Sequence, residues 1–120
     1  MVKYAIAALM LAATAAQPAC GGDLLLLDFT SPYCGPCQQM IPTIQSLDAA
    51  GYPVRRVDTT REPQSAQQYD VSQIPCFIMT VDGRETERLV GATSQERLVQ
   101  MFQSARARQS AAAEPQIRLP

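Results

Sequence analysis

Residues 24–37 read LLLLDFTSPYCGPC, and this stretch decides the fold. Its first half is a continuous apolar run, which predicts a strand buried on both faces of a sheet. Ser31-Pro32-Tyr33 interrupts the run, and a helix is expected to begin near Cys34 with Pro36 tolerated in its first turn. Two cysteines separated by two residues can close a disulfide across that turn.

The position of this cysteine pair predicts redox chemistry. At the start of a helix, unpaired N–H groups and the positive end of the dipole favour a thiolate. We therefore expect Cys34 to attack a substrate disulfide and Cys37, one turn further on, to be the resolving thiol. Half of a zinc site and a static structural disulfide are the alternatives, but Cys20 and Cys76 form no second pair for a metal.

Composition excludes several other kinds of function. The chain of 120 residues fits one domain and contains no histidine, which excludes Ser-His and Cys-His nucleophile pairs and His-containing zinc sites. Its net charge of -1 gives no basic footprint for nucleic acid. Chemistry must therefore come from cysteines, carboxylates or the backbone, with no bound metal.

The remaining sequence alternates between strands and helices. The predicted helix from Cys34 ends at Gly51 and is kinked at Pro42. The later elements are a strand at 53–58, a helical stretch at 62–69, a strand at 76–81, a turn at Asp82-Gly83, a strand at 85–90 and a last helix opened by a capping box at 93–96. The strand–helix–strand connections imply parallel pairing, and the hairpin adds an antiparallel edge.

The first residues have the parts of a secretory signal peptide: a basic tip, a short apolar run and a small-residue exit. An Ala-rich first helix of the domain is the alternative. Cys20 also stands where a lipid-anchored protein carries its modified cysteine, although Gln17 replaces the apolar residue usual before it. The sequence predicts a signal peptide at 1–19, a folded domain at 23–108 and a disordered tail at 109–120.

Residues 28–37 resemble the active-site segment of the thioredoxin family. The likeness continues through Pro42, Ile74-Pro75, Asp82-Gly83 and Val90-Gly91-Ala92, so that it covers about Leu24 to Ala107. It implies a thioredoxin-like α/β fold, in which helices flank a central mixed sheet. Four strands are expected, because the strand and helix that usually precede the first predicted strand have no counterpart here.

The resemblance also implies roles for individual residues. Asp28 would accept the proton of Cys37, and burial should raise its pKa; a turn residue at a strand end is the alternative. Pro75 would be the family's cis-proline, beside which the backbone of Ile74 binds an extended substrate. The substrate groove would be formed by Tyr33, Gly35, Pro36, Ile74, Val90, Gly91 and Ala92.

Three positions depart from the family pattern. Thr30 and Tyr33 stand where thioredoxins usually carry tryptophan, which alters the expected groove. Cys76 follows the proline where the family usually has threonine. We expect Cys76 to be a small buried hydrophobe, with participation in redox chemistry as the alternative.

The predicted function is reduction or exchange of disulfides in cysteine-containing proteins outside the cytoplasm, in the periplasm or after secretion. The cysteine pair holds the redox equivalents without a cofactor, and an unidentified redox partner recharges it. A disulfide oxidase or isomerase is the first alternative, and a non-enzymatic polypeptide-binding module is the second. Membrane contact is expected only through the signal or a lipid anchor.

Overall fold

A computed structural model describes residues 23–113, so the predicted signal peptide, Cys20 and residues 114–120 lie outside the described residues. Four strands form one sheet in the order β2-β1-β3-β4, with helices on both faces. The strands are β1 (Leu24–Thr30), β2 (Val54–Asp58), β3 (Cys76–Val81) and β4 (Arg84–Val90). The helices are α1 (Gly35–Gln39), α2 (Ile41–Ala49), α3 (Pro63–Gln68) and α4 (Gln95–Ala113). Across 23–113, no helix is both long and apolar enough to span a membrane.

The direction of β3 corrects the expected pairing. β2 is parallel to β1, as predicted, but β3 pairs with β1 in the antiparallel sense. A parallel return needs a crossover that carries the chain back along the whole strand. The six residues of α3 span only about 9 Å, whereas a strand of seven residues is about 23 Å long. The chain therefore enters β3 at Cys76, at the same end of the sheet where β1 finishes.

The helix predicted to run from Cys34 to Gly51 is divided in two. Met40 separates α1 from α2, and its N–H bonds the Cys37 carbonyl at 3.1 Å in a tightened turn. Pro42 has no N–H to donate to the α-helical hydrogen-bond pattern. The helix is therefore interrupted at Met40, two residues before Pro42, where the sequence predicted only a kink. The division keeps Cys37 in a short first helix of its own.

The core has two parts, one on each face of the sheet. Leu26 faces α2 and α4 together with Phe77 and Met79, whereas Leu27 and Phe29 face α3. This alternation explains why β1 reads as an unbroken apolar run, because both of its faces are covered. The predicted core face of the last helix is confirmed, since Leu98, Met101, Phe102 and Ala105 are buried.

Both ends of α4 differ from the prediction. Its first turn is capped by Ser94, whose hydroxyl accepts a hydrogen bond from the Arg97 N–H at 3.2 Å, one residue later than a capping box starting at Thr93. The helix then continues past Arg108 to Ala113, because the alanines of this segment are strong helix formers. The tail predicted to be disordered from residue 109 is therefore helical as far as Ala113.

Candidate active site

The cysteine pair closes a disulfide across the first turn of α1. Cys34 occupies the N-cap with an extended backbone, and its sulfur accepts a hydrogen bond from the Cys37 N–H at 3.2 Å. The two α-carbons are 5.2 Å apart. Cys37 is buried, whereas Cys34 is partly exposed. After reduction, the same N–H can stabilise a Cys34 thiolate, which is the arrangement that nucleophilic attack by Cys34 requires.

The loop before Cys34 is held by its own hydrogen bonds. The Ser31 carbonyl accepts from the Cys34 N–H at 3.2 Å and from the Gln38 side-chain amide at 3.0 Å. The Ser31 hydroxyl accepts from the Tyr33 N–H at 3.1 Å. Gln38 was not identified from the sequence. Its spacing of one helical turn from Cys34 is the only sequence signal that could have pointed to it.

Asp28 is buried on the sheet face that the helices α2 and α4 cover. Its side chain is on the opposite face of the sheet from Phe29 and on the same face as Leu26. The hydrophobic cluster around Leu26 includes Met40, at the junction of α1 and α2. Burial raises the pKa of Asp28 to about 6, and the Arg56 guanidinium, with Nε 3.7 Å from Oδ2, opposes that rise. The predicted upward direction of this pKa is thus confirmed. The role of Asp28 as proton acceptor stays a prediction.

Arg56 was not identified from the sequence as part of this site. It is the β2 residue in register with Asp28, and the parallel pairing of β1 with β2 brings the two side chains together. The sequence shows two consecutive arginines, Arg55 and Arg56, and strand alternation alone does not say which one faces Asp28. Arg55 pairs with Glu62 instead, at 2.6 Å.

The Ile74–Pro75 peptide bond is cis, as the resemblance implied. The Pro75 carbonyl accepts a hydrogen bond from the Gly91 N–H at 2.8 Å. Gly91 has a φ of 98°, in the left-handed region that favours glycine. This bond joins two segments that were predicted to share a groove, 74–75 and 90–92, at the end of the sheet from which β1 leads to the cysteines.

The predicted groove residues differ in exposure. Tyr33 and Val90 are 89% and 50% exposed, and they are the exposed large hydrophobic side chains among residues 23–113. Gly35, Pro36 and Ala92 are also exposed, Ile74 and Gly91 are partly buried, and Pro75 is buried. The structure therefore places accessible apolar surface at the predicted positions, whereas binding of substrate there stays a prediction.

The departures from the family pattern have different environments. Cys76 is a free, buried thiol that packs with Phe29 and Ile78, and burial raises its pKa. This environment agrees with the expected small buried hydrophobe. Thr30 is buried at the end of β1, and its hydroxyl has no hydrogen-bond partner. Within the described part of the chain, no cluster of three or more cysteine or carboxylate side chains is arranged to hold a metal ion.

The arrangement can exchange two electrons with a substrate disulfide. Three features lie at one end of a mixed sheet: a cysteine at a helix N-terminus, a buried partner cysteine one turn further on, and a cis-proline. A partly exposed sulfur next to N–H donors is suited to attack, and a buried sulfur three residues away is suited to intramolecular release. These features define the class of thiol–disulfide oxidoreductases.

Comparison with known proteins agrees with this class. The family model described as Thioredoxin matches residues 16–104. The thioredoxin of Chlamydia trachomatis is 40% identical over 82 residues, which cover 66% of this chain and 79% of that protein. A thioredoxin H-type protein of Fagopyrum esculentum is 36% identical over 80 residues, covering 64% of this chain and 68% of its own.

Solved structures show the same likeness. A mutant thioredoxin from Halobacterium salinarum superposes with a TM-score of 0.66 at 28% identity, covering 70% of this chain and 75% of that chain. Thioredoxin NaTrxh from Nicotiana alata superposes with a TM-score of 0.64 at 30% identity, covering 70% and 74%. The chain belongs to the thioredoxin family, and it is a thiol–disulfide oxidoreductase.

Proposed function

We propose that this protein reduces or exchanges disulfides in proteins outside the cytoplasm. The observation that carries the proposal is the Cys34–Cys37 disulfide at the start of α1, with the exposed side chains of Tyr33 before it and of Val90 at the same end of the sheet. The N-terminal sequence supports the compartment, because residues 1–19 have the parts of a secretory signal. The Gly35-Pro36 pair between the cysteines resembles that of reducing members of the family and supports the direction.

The proposed reaction begins with the reduced pair. The Cys34 thiolate attacks one sulfur of the substrate disulfide, which forms a mixed disulfide and releases the other substrate sulfur as a thiolate. Cys37, once deprotonated, attacks the Cys34 sulfur and releases the second substrate thiolate. The substrate has then gained two electrons, and the protein is left with the Cys34–Cys37 disulfide. A redox partner must return two electrons to this pair before the next cycle.

Asp28 supports the second step by accepting the proton of Cys37. A carboxylate with its pKa raised to about 6 is a stronger base than an ordinary aspartate, yet it is still largely ionised at neutral pH. It lies on the sheet face that the helices following Cys37 cover. Arg56 keeps the pKa from rising further, so that the carboxylate remains available as a base.

Substrate binding is proposed to use the groove between the two apolar segments. The backbone of Ile74, next to the cis-proline, offers hydrogen-bonding groups to an extended polypeptide. Tyr33 and Val90 are exposed apolar side chains that are proposed to contact the substrate. Such binding holds a substrate sulfur near Cys34 and selects polypeptide disulfides over small ones.

Trapping with Cys37→Ser tests the proposal. Attack by Cys34 is retained and release is lost, so cysteine-containing extracytoplasmic proteins should accumulate as mixed disulfides that an added reductant releases. The matched control is the double variant Cys34→Ser with Cys37→Ser, which should capture none. Reductant-insensitive binding that is equal in both variants would instead indicate a polypeptide-binding module without redox function.

Two further measurements test the direction and the compartment. The equilibrium between the cysteine pair and a glutathione buffer gives the reduction potential, and a strongly oxidising value would favour an oxidase or isomerase over a reductase. Sequencing the mature protein from its native host should find a start between Gln17 and Asp23. An intact N-terminus in the cytosol would contradict the compartment, whereas a lipid on Cys20 would establish an anchored form.

A further inference from the structure

The loop that leads to the cis-proline is joined to the neighbouring hairpin by the Tyr69 hydroxyl, which donates to the Gly83 carbonyl at 3.2 Å, and by Arg88. The loop begins at Tyr69, the C-cap of α3, and ends at Pro75. The Arg88 guanidinium on β4 donates to the Tyr69 carbonyl and, at 3.2 Å, to the Asp70 carbonyl. The end of α3 is closed by its own backbone, because the Asp70 N–H bonds the Gln67 carbonyl at 3.1 Å and the Val71 N–H bonds the Ala66 carbonyl at 2.8 Å. Arg88 adds bonds from a distant part of the chain to the next two carbonyls.

The turn that Arg88 contacts has an unusual backbone conformation at Asp70. Its φ of 55° is in the left-handed region, which is uncommon for a residue other than glycine. Arg88 bonds the carbonyls on the two sides of this unfavourable φ and so stabilises the turn there. Only a few residues separate Asp70 from Ile74, so a change in the turn alters the position of the backbone beside the cis-proline.

A bulge in β4 directs the arginine toward the loop. Met79 pairs with Glu87 and Thr80 pairs with Glu85, which leaves Thr86 as the extra residue. In a regular strand, Glu85 and Arg88 would point to opposite faces. The extra residue places both on the face that α3 covers, where the Arg88 Nε bonds Glu85 Oε1 at 2.8 Å. Glu85 thereby orients the guanidinium toward the two carbonyls.

We propose that Arg88 is a positioning residue for substrate, which fixes the Tyr69–Pro75 loop so that the Ile74 backbone can bind an extended polypeptide beside Cys34. This inference rests on the proposed function, because it requires that polypeptide substrates bind along Ile74. Arg88 acts through the loop carbonyls that it bonds and not through the reacting sulfurs. Its loss should therefore weaken polypeptide binding and leave the reactivity of the cysteine pair unchanged.

The test compares a disulfide-containing peptide with hydroxyethyl disulfide, a small substrate that has no polypeptide backbone to bind along Ile74. Arg88→Gln should raise KM for the peptide about five- to twentyfold with little change in kcat, and it should leave kcat/KM for hydroxyethyl disulfide within about twofold. Arg88→Lys keeps the charge but loses the forked donor geometry, so its KM should lie between those of the wild type and Arg88→Gln. The lysine variant also maintains the test if Arg88→Gln fails to fold.

Arg97→Gln is the matched control, because Arg97 also bonds a glutamate of β4, Glu87, at 3.1 Å but does not contact the loop. It should match the wild type on both substrates. An unchanged peptide KM in both Arg88 variants would overturn the inference, as would an equal loss on the two substrates, which indicates a general structural role. Failure of the proposed function would be visible in the wild type itself, as the absence of any preference for the peptide.

Discussion

Asp28→Asn should make the protein more stable at neutral pH while impairing its chemistry. The carboxyl is only 3% exposed, and its pKa is raised by burial from 3.8 to about 6. A difference of about two pH units corresponds to about 3 kcal/mol. Because the folded-state pKa is the higher one, the stabilising contribution is fully present below pH 3.8 and is lost as the pH rises to about 6. The neutral amide avoids that loss.

The assay is urea unfolding followed by circular dichroism, since the chain has no tryptophan for fluorescence. With the Cys34–Cys37 disulfide intact in both proteins, the free energies of unfolding should agree near pH 3.5. They should then diverge until the variant is more stable by about 3 kcal/mol above pH 6.5. In the reduced protein, the first attack by Cys34 should persist, and release of the mixed disulfide should slow because the amide accepts no proton.

Asp48→Asn is the control for loss of a charge. Asp48 is an exposed carboxylate of α2, so Asp48→Asn removes the same charge from the surface and not from the core. The reasoning would be refuted if Asp28→Asn followed the wild-type stability curve across this pH range. The catalytic assignment would fail separately if the variant released mixed disulfides at the wild-type rate at neutral pH.

Three other predictions follow from the surroundings of β1. Arg56→Gln removes the cation that lowers the pKa of Asp28, so the upper end of the pH-dependent fall in stability should move above pH 6; an unmoved midpoint would contradict the pairing. Thr30→Val removes a buried hydroxyl that has no partner, so the free energy of unfolding in urea should stay unchanged or rise by about 1 kcal/mol. Thr80→Val is the contrast, because it loses a hydrogen bond to the Leu25 carbonyl and should lower the free energy of unfolding by about 1 kcal/mol. In the reduced protein, iodoacetamide should label Cys76 far more slowly than Cys34 until urea is added, and equal rates by peptide mapping would contradict the burial of Cys76.

The elements that the sequence predicted well are those with strong local signals. The strand at 76–81 was predicted with its observed bounds, because an apolar, β-branched run ends there at Asp82-Gly83. The Cys34 N-cap and the raised pKa of Asp28 also follow from short-range pattern, since a buried strand precedes the cysteines directly. Local pattern thus sufficed for the cysteines, whereas Asp28 was singled out through the resemblance to the family.

The features that the sequence did not predict depend on register and on tertiary contact. The antiparallel direction of β3 is set by its pairing with β1, which the order of strands and helices along the chain does not determine. Arg56 and Arg88 act through partners that are distant in sequence, and the orientation of Arg88 needs a bulge that no local pattern marks. The division at Met40 was missed because Pro42 was expected to bend a helix instead of ending it.

The buried polar residues of the described chain differ in how well their polar groups are satisfied. Ser31 and Thr80 have their hydroxyls engaged, with the Tyr33 N–H and the Leu25 carbonyl. Asp28 has an ion pair at 3.7 Å, longer than a hydrogen bond, and Thr30 has a hydroxyl without a partner. Both under-satisfied groups lie in the last three residues of β1, directly before the loop that carries Cys34. Under the proposed function, the cost at Asp28 provides a base for Cys37, whereas nothing in the structure assigns a role to the Thr30 hydroxyl.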